Sequence, residues 1–251
     1  MDIKKIKYGQ LVGIGEASHG THEYQTQRLK IIKYLRQQGP IQVFIEASYP
    51  IIETLKEPNL TLQEYKNILV ESKIFGFYKS KEFLKILWYL YSNKIPFYGV
   101  DIQIRGQEHL IKNPMMNYIS KFYKKAYIDN KFRDEKMQEL INILWDKSTR
   151  GIFLAHNYHI SRYVNFPGTS IGFATSGGEV AAFDKKTAKF KHVNINYPEQ
   201  KLKFNTNCIV QGKQNTNFNN LGFFTDSTGE MDAGKFDYII YIKKTSAVEL
   251  F

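Results

Sequence analysis

Four ionisable residues, Glu16, Glu46, Asp101 and His156, each stand directly after a short apolar run, and two further histidines, His19 and His159, follow Glu16 and His156 three positions later. Carboxylates and imidazoles brought to one place can hold, give and take protons near neutral pH, which is the equipment for activating a water molecule in hydrolysis. A carboxylate after a strand is more often a helix cap or a surface charge, and a lone histidine is often a satisfied loop residue. The repetition at four successive positions is what favours a shared site.

The elements needed to bring these residues together can be read from the same sequence. Residues 11–15, 43–45, 97–100 and 152–155 are β-branched or aromatic runs that read as strands, too far apart for hairpins. Between the first two, residues 23–38 place Tyr24, Arg28, Ile31, Ile32 and Leu35 on one helical face before Gly39-Pro40 ends the helix. Residues 80–92 repeat the pattern with Phe83, Leu84, Leu87, Leu90 and Tyr91. Strand, helix, strand units predict a parallel sheet, and in such sheets the C-terminal strand ends share the edge at which ligands bind. Arg28 falls within the apolar stripe of its helix, where an unpaired guanidinium is costly, so it is expected to clamp a buried carboxylate; the bland alternative is that it snorkels. Residues 106–147 read as helices forming a cap or outer layer. Residues 171–173 and 180–183 are candidate strands of a hairpin about Gly177-Gly178, 194–232 read as loop-rich, and 238–242 as a late strand of the main sheet.

Composition bounds the function classes. The chain of 251 residues suits one domain spanning 1–251, and no apolar run approaches the roughly 20 residues of a membrane span. Residues 1–10 show no secretory signal, so the cytoplasm is the expected location. The formal charge of +11 is spread along the chain, apart from the basic and aromatic 121–127, and nucleic-acid binding is not expected; a small-molecule substrate is the expected partner. One cysteine, Cys208, excludes an internal disulfide framework and a multi-cysteine metal site.

The segment GEASHGTHEYQTQR from Gly15 to Arg28 resembles the signature of the erythromycin esterase family, and FIEAS at 44–48, YGVDIQ at 98–103, LAHNYHISR at 154–162 and FDYIIYI at 236–242 continue the resemblance. The resemblance implies metal-independent hydrolysis of an ester or lactone without a cofactor, with His19 as the base that deprotonates water. Glu16 and Glu46 would orient the histidines, and His156, His159 or Arg28 would stabilise the oxyanion. Asp101, His22 and Glu23 are expected toward the substrate. The stretch between Asp101 and His156 is short for this family, implying a reduced helical cap and a smaller or more exposed ester than a macrolide. The fold expected is α/β: a mainly parallel sheet with flanking helices, a reduced helical cap and an additional β-rich C-terminal part.

Three rivals compete. The Glu and His cluster could hold zinc, iron or manganese in a metal-dependent hydrolase, although the spacing is not that of a helical zinc protease. A nucleophilic Ser18 or Ser176 lacks the preceding glycine of a nucleophile elbow, and Cys208 has no histidine nearby in sequence. A non-catalytic homologue would keep the cleft to bind a small anionic or polyhydroxylated ligand.

Overall fold

In the computed structural model, which describes residues 6–251 apart from 105, 108, 111, 185, 188, 197–205 and 213–232, the elements in chain order are β1 (Leu11–Ile14), α1 (His22–Gln37), β2 (Ile41–Ser48), α2 (Tyr49–Thr54), α3 (Leu62–Glu71), α4 (Lys81–Ser92), β3 (Phe97–Asp101), α5 (Pro114–Ile119), α6 (Tyr123–Ala126), α7 (Asn130–Leu144), β4 (Arg150–Leu154), β5 (Thr169–Thr175), β6 (Gly177–Asp184), β7 (Lys189–Asn196), β8 (Cys208–Gln211) and β9 (Tyr238–Ile242). Seven strands form one sheet in the order β3-β2-β4-β1-β5-β9-β8, parallel except for β8, which runs antiparallel to β9. The fold is α/β, with a mainly parallel sheet, flanking helices and a separate antiparallel pair, β6 and β7.

Successive residues of each central strand enter opposite cores, as a pleated sheet covered on both faces requires. Val12, Ile14, Val43, Ile45, Ile152 and Leu154 join the buried side chains of α1 and α4, whereas Leu11, Phe44 and Phe153 join those of α5 and α7. Helix α4 buries Phe83, Leu84, Ile86, Leu87 and Leu90 and is started by Ser80, whose hydroxyl accepts from Phe83 N–H. Each such side chain contributes about 1.5–3 kcal/mol on burial. Helix α7 is capped by Asp129, which accepts from Phe132 N–H. Helices α5, α6 and α7 thus lie against one face of the sheet, and α7 also sends a polar side chain over the sheet edge. Among the described residues no helix is long and apolar enough to cross a membrane.

One expectation is corrected. Residues 171–173 and 180–183 do not pair with each other: the former lie in β5, between β1 and β9, and the latter in β6, whose partner is β7. Gly178, between them, serves close approach instead. Gly178, at φ +121°, pairs with Thr245, and a Cβ there would stand 2.1 Å from the Thr245 carbonyl oxygen. The loop-rich reading of 194–232 falls largely outside the described residues; within them, β7 runs to Asn196 and 208–211 form β8.

Candidate active site

Parallel register places the four ionisable residues in spatial order Asp101, Glu46, His156, Glu16 along one sheet edge, because their strands are ordered β3-β2-β4-β1. Glu46 lies within β2 and Asp101 ends β3, so these strands run further than the apolar runs indicated.

Glu16 is fully buried. Arg28 Nη1 stands 2.9 Å from its Oε2, and Gln25 donates to the same oxygen. Arg28 also donates to the carbonyls of Gly15 (3.0 Å), Ile14 (3.1 Å) and Ala155 (2.5 Å). The clamp expected from the stripe position is present, and its geometry corrects one assignment: Arg28 is spent on Glu16 and strand-end carbonyls behind the edge, away from a position to stabilise an oxyanion. Burial alone pushes the Glu16 carboxyl up, but Arg28 and then His19 bring it below the usual carboxylate range. Its second oxygen lies 2.6 Å from His19 Nδ1. A carboxylate here accepts Nδ1–H, so it fixes the tautomer in which Nε2 carries the lone pair.

His19 borders a cavity of about 180 Å³ lined also by Glu46, Ser48, Phe75, Tyr78, Asp101 and Arg133. Arg133 comes from α7 and grips both carboxylates, with Nη2 2.8 Å from Glu46 Oε1 and 2.9 Å from Asp101 Oδ2 and Nε 3.0 Å from Asp101 Oδ1. Burial works against its charge, and Asp101 and Glu46 more than offset that. Glu46 also bonds His159 Nε2 at 3.0 Å and the backbone N–H of His156 at 2.8 Å. Against the cost of burial, His159 and Arg133 hold its carboxyl well below the ordinary range.

The two later histidines part ways. Burial pushes His156 down to about 3, with His19 adding to the effect, so its ring is neutral. Its Nε2 donates to the Ala17 carbonyl at 3.2 Å and its Nδ1 accepts from Tyr158 N–H at 3.4 Å, the matching tautomer. Burial opposes protonation of His159 too, but Glu46 and Asp134 raise it to about 9. It is an imidazolium held between two carboxylates, with Asp134 on Nδ1. Environment, and not spacing, separates a neutral from a cationic histidine three residues apart.

His22 and Glu23 are not brought into this cluster. His22 Nδ1 bonds Glu82 at 2.7 Å, and Glu23 accepts from Ser246 N–H (2.8 Å) and its hydroxyl (2.6 Å). Both tie the start of α1 to neighbouring chain, so the expectation that they meet substrate is withdrawn. Ser18 bonds Thr21 at 3.1 Å, Ser176 donates to the Lys243 carbonyl, and burial raises the Cys208 thiol, so none is an activated nucleophile. Among the described residues, no group of three or more His, Cys, Asp or Glu side chains is placed to hold a metal ion; Arg133 and His159 occupy the space between the carboxylates that a cation would need.

Sequence reasoning missed Arg133 and Asp134. For Asp134 the signal was present: it falls three residues before Met137 in the buried stripe of α7, the same anomaly that exposed Arg28.

No family model and no curated protein matches the chain. Solved structures share its fold. A succinoglycan biosynthesis protein superposes with TM-score 0.75 at 13% identity, covering 99% of this chain and 91% of the other. A mutant erythromycin esterase in its open conformation gives 0.64 at 11% identity, covering 98% and 93%. The heme-binding protein ChaN of Campylobacter jejuni gives 0.51 at 14%, covering 94% and 88%. At these identities the likeness is one of fold.

Proposed function

We propose that the chain is a divergent erythromycin-esterase-like hydrolase that cleaves a small carboxylic ester or lactone with a water activated by His19. The observation that carries this reading is the pair formed by Glu16 and His19 at the cavity, 2.6 Å apart, with Glu16 itself fixed by Arg28 and Gln25. Nε2 of His19 takes a proton from water as the water oxygen attacks the ester carbonyl carbon. The tetrahedral oxyanion then collapses, the bond to the alcohol oxygen breaks, and the leaving alkoxide recovers the proton from His19.

Arg133 is a cavity cation suited to the oxyanion. With His159 cationic, its Nε2 donates to Glu46, so the 3.3 Å approach of Arg133 Nη1 to it joins two donors, and Nη1 keeps donor capacity for a ligand. The cavity of about 180 Å³ favours a substrate whose reacting end is small.

A second reading, a small-ligand binder without turnover, draws on the ChaN fold likeness, since that protein binds heme. Assay of purified wild type and Glu16→Gln on a panel of small alkyl, aryl and lactone esters separates the two. Hydrolysis by wild type that drops at least about 10-fold in Glu16→Gln supports the esterase; binding of a panel ester with no turnover across the panel favours the binder.

A further inference from the structure

The cavity beside His19, at about 180 Å³, is smaller than the roughly 300–1,000 Å³ of pockets that enclose whole small molecules. On the esterase reading, part of the substrate lies outside it, on whatever borders the mouth. Phe75, in the cavity lining, begins a continuous series of rings. The centroid of Phe75 is 5.2 Å from that of His19, Phe77 is 5.0 Å from Phe75, Phe190 is 4.8 Å from Phe77 and Phe183 is 5.2 Å from Phe190. The series leads from the histidine onto the β6–β7 hairpin, where Phe183 is 47% exposed. Cross-strand pairing within the hairpin accounts for Phe183 opposite Phe190. It does not account for the continuation through Phe77 and Phe75 to the histidine.

Backbone contacts fix this wall. Phe190 packs onto Gly76, where a Cβ would stand 2.3 Å from its Cζ. Ala181 of β6 donates to the carbonyl of Gly20 at 2.9 Å, and a Cβ on Gly20 would lie 2.0 Å from the Ala181 oxygen. Gly20 follows His19 directly, so the hairpin is locked to the residue that carries the proposed chemistry.

We propose that this aromatic series is a subsite for a planar apolar arm of the substrate, which makes the substrate an ester with an aromatic acyl or alcohol group and not a polyhydroxylated one. The proposal rests on the esterase reading, with the ester carbonyl at His19 and the arm stacked outward along Phe75, Phe77 and Phe190.

The test compares 4-nitrophenyl 2-naphthoate with 4-nitrophenyl acetate in wild type, Phe75→Ser and Phe77→Ala, with the remote exposed position Ile128→Ser as control, and measures binding of 2-naphthoate calorimetrically in the same proteins. The ratio of kcat/KM for naphthoate over acetate is expected to fall at least about 10-fold in the two ladder variants, through KM, with 2-naphthoate affinity falling in step. An unchanged ratio and an unchanged affinity overturn the subsite. So does a change of oligomeric state by light scattering with the ratio intact, which makes the ladder a self-association face. Binding of 2-naphthoate that depends on the ladder, without hydrolysis of either ester, supports the subsite and sinks the esterase reading. Hydrolysis of both esters with no dependence on the ladder does the reverse.

Discussion

Arg28 and Glu16 form a wholly buried ion pair, 2.9 Å apart, between a helix stripe and the end of the central strand β1. A buried pair adds little net stability over an apolar core, but removing one partner leaves an uncompensated charge. This pair holds the carboxylate that sets the tautomer of His19.

Arg28→Met therefore strands Glu16 and also frees the carbonyls of Ile14, Gly15 and Ala155. A loss of about 3–5 kcal/mol in urea unfolding is expected. A loss under about 1 kcal/mol would show that the clamp is dispensable.

Stability should form a dome in pH with opposed histidine limbs. His156 has a folded value of about 3 against 6.5, so its contribution is complete above 6.5 and is lost as pH falls toward 3, with Glu16 and Glu46 adding to this limb below 4.5. His159 has a folded value of about 9, so its contribution is complete below 6.5 and is lost as pH rises through 9. The His159 share is on the order of 3 kcal/mol. Unfolding free energies from pH 6 to 10 should fall in wild type and flatten in His159→Gln; equal slopes in both would refute the assignment.

Arg133→Lys keeps a charge but loses the fork that spans Glu46 and Asp101. With Arg133 as the oxyanion donor, kcat should drop about 10²-fold with KM changed far less. A rise confined to KM would instead make Arg133 a ground-state binding group.

Gly20→Ala places a methyl against the Ala181 backbone. The hairpin has to move, at about 1–3 kcal/mol, and turnover should fall because the His19 loop moves with it. Thermal unfolding together with a rate assay checks both effects, and unchanged values would mean that the hairpin is not locked to this loop.

Much of the sheet was legible because its strands are short apolar runs separated by amphipathic helices, and parallel pairing carries the residues after them to one edge. That logic located Glu16, Glu46, Asp101 and His156 and the clamp at Arg28. It did not reach α3, whose buried residues are only Tyr65 and Leu69, too few to mark a stripe. It misread Gly177-Gly178 as a hairpin turn, since a glycine needed for approach to Thr245 looks the same in sequence as one needed for a turn. Arg133 reaches the edge from a helix on the face of the sheet, a contact that no local spacing encodes. The opposite charge states of His156 and His159 depend on partners from β2 and α7.

The most direct test of water activation is the rate of His19→Asn relative to wild type on an ester that wild type cleaves, with circular dichroism verifying the fold. A fall in kcat of about 10²–10⁴-fold is expected, with the ester still bound. Turnover within a few-fold of wild type would contradict it, and would place the base elsewhere along the edge.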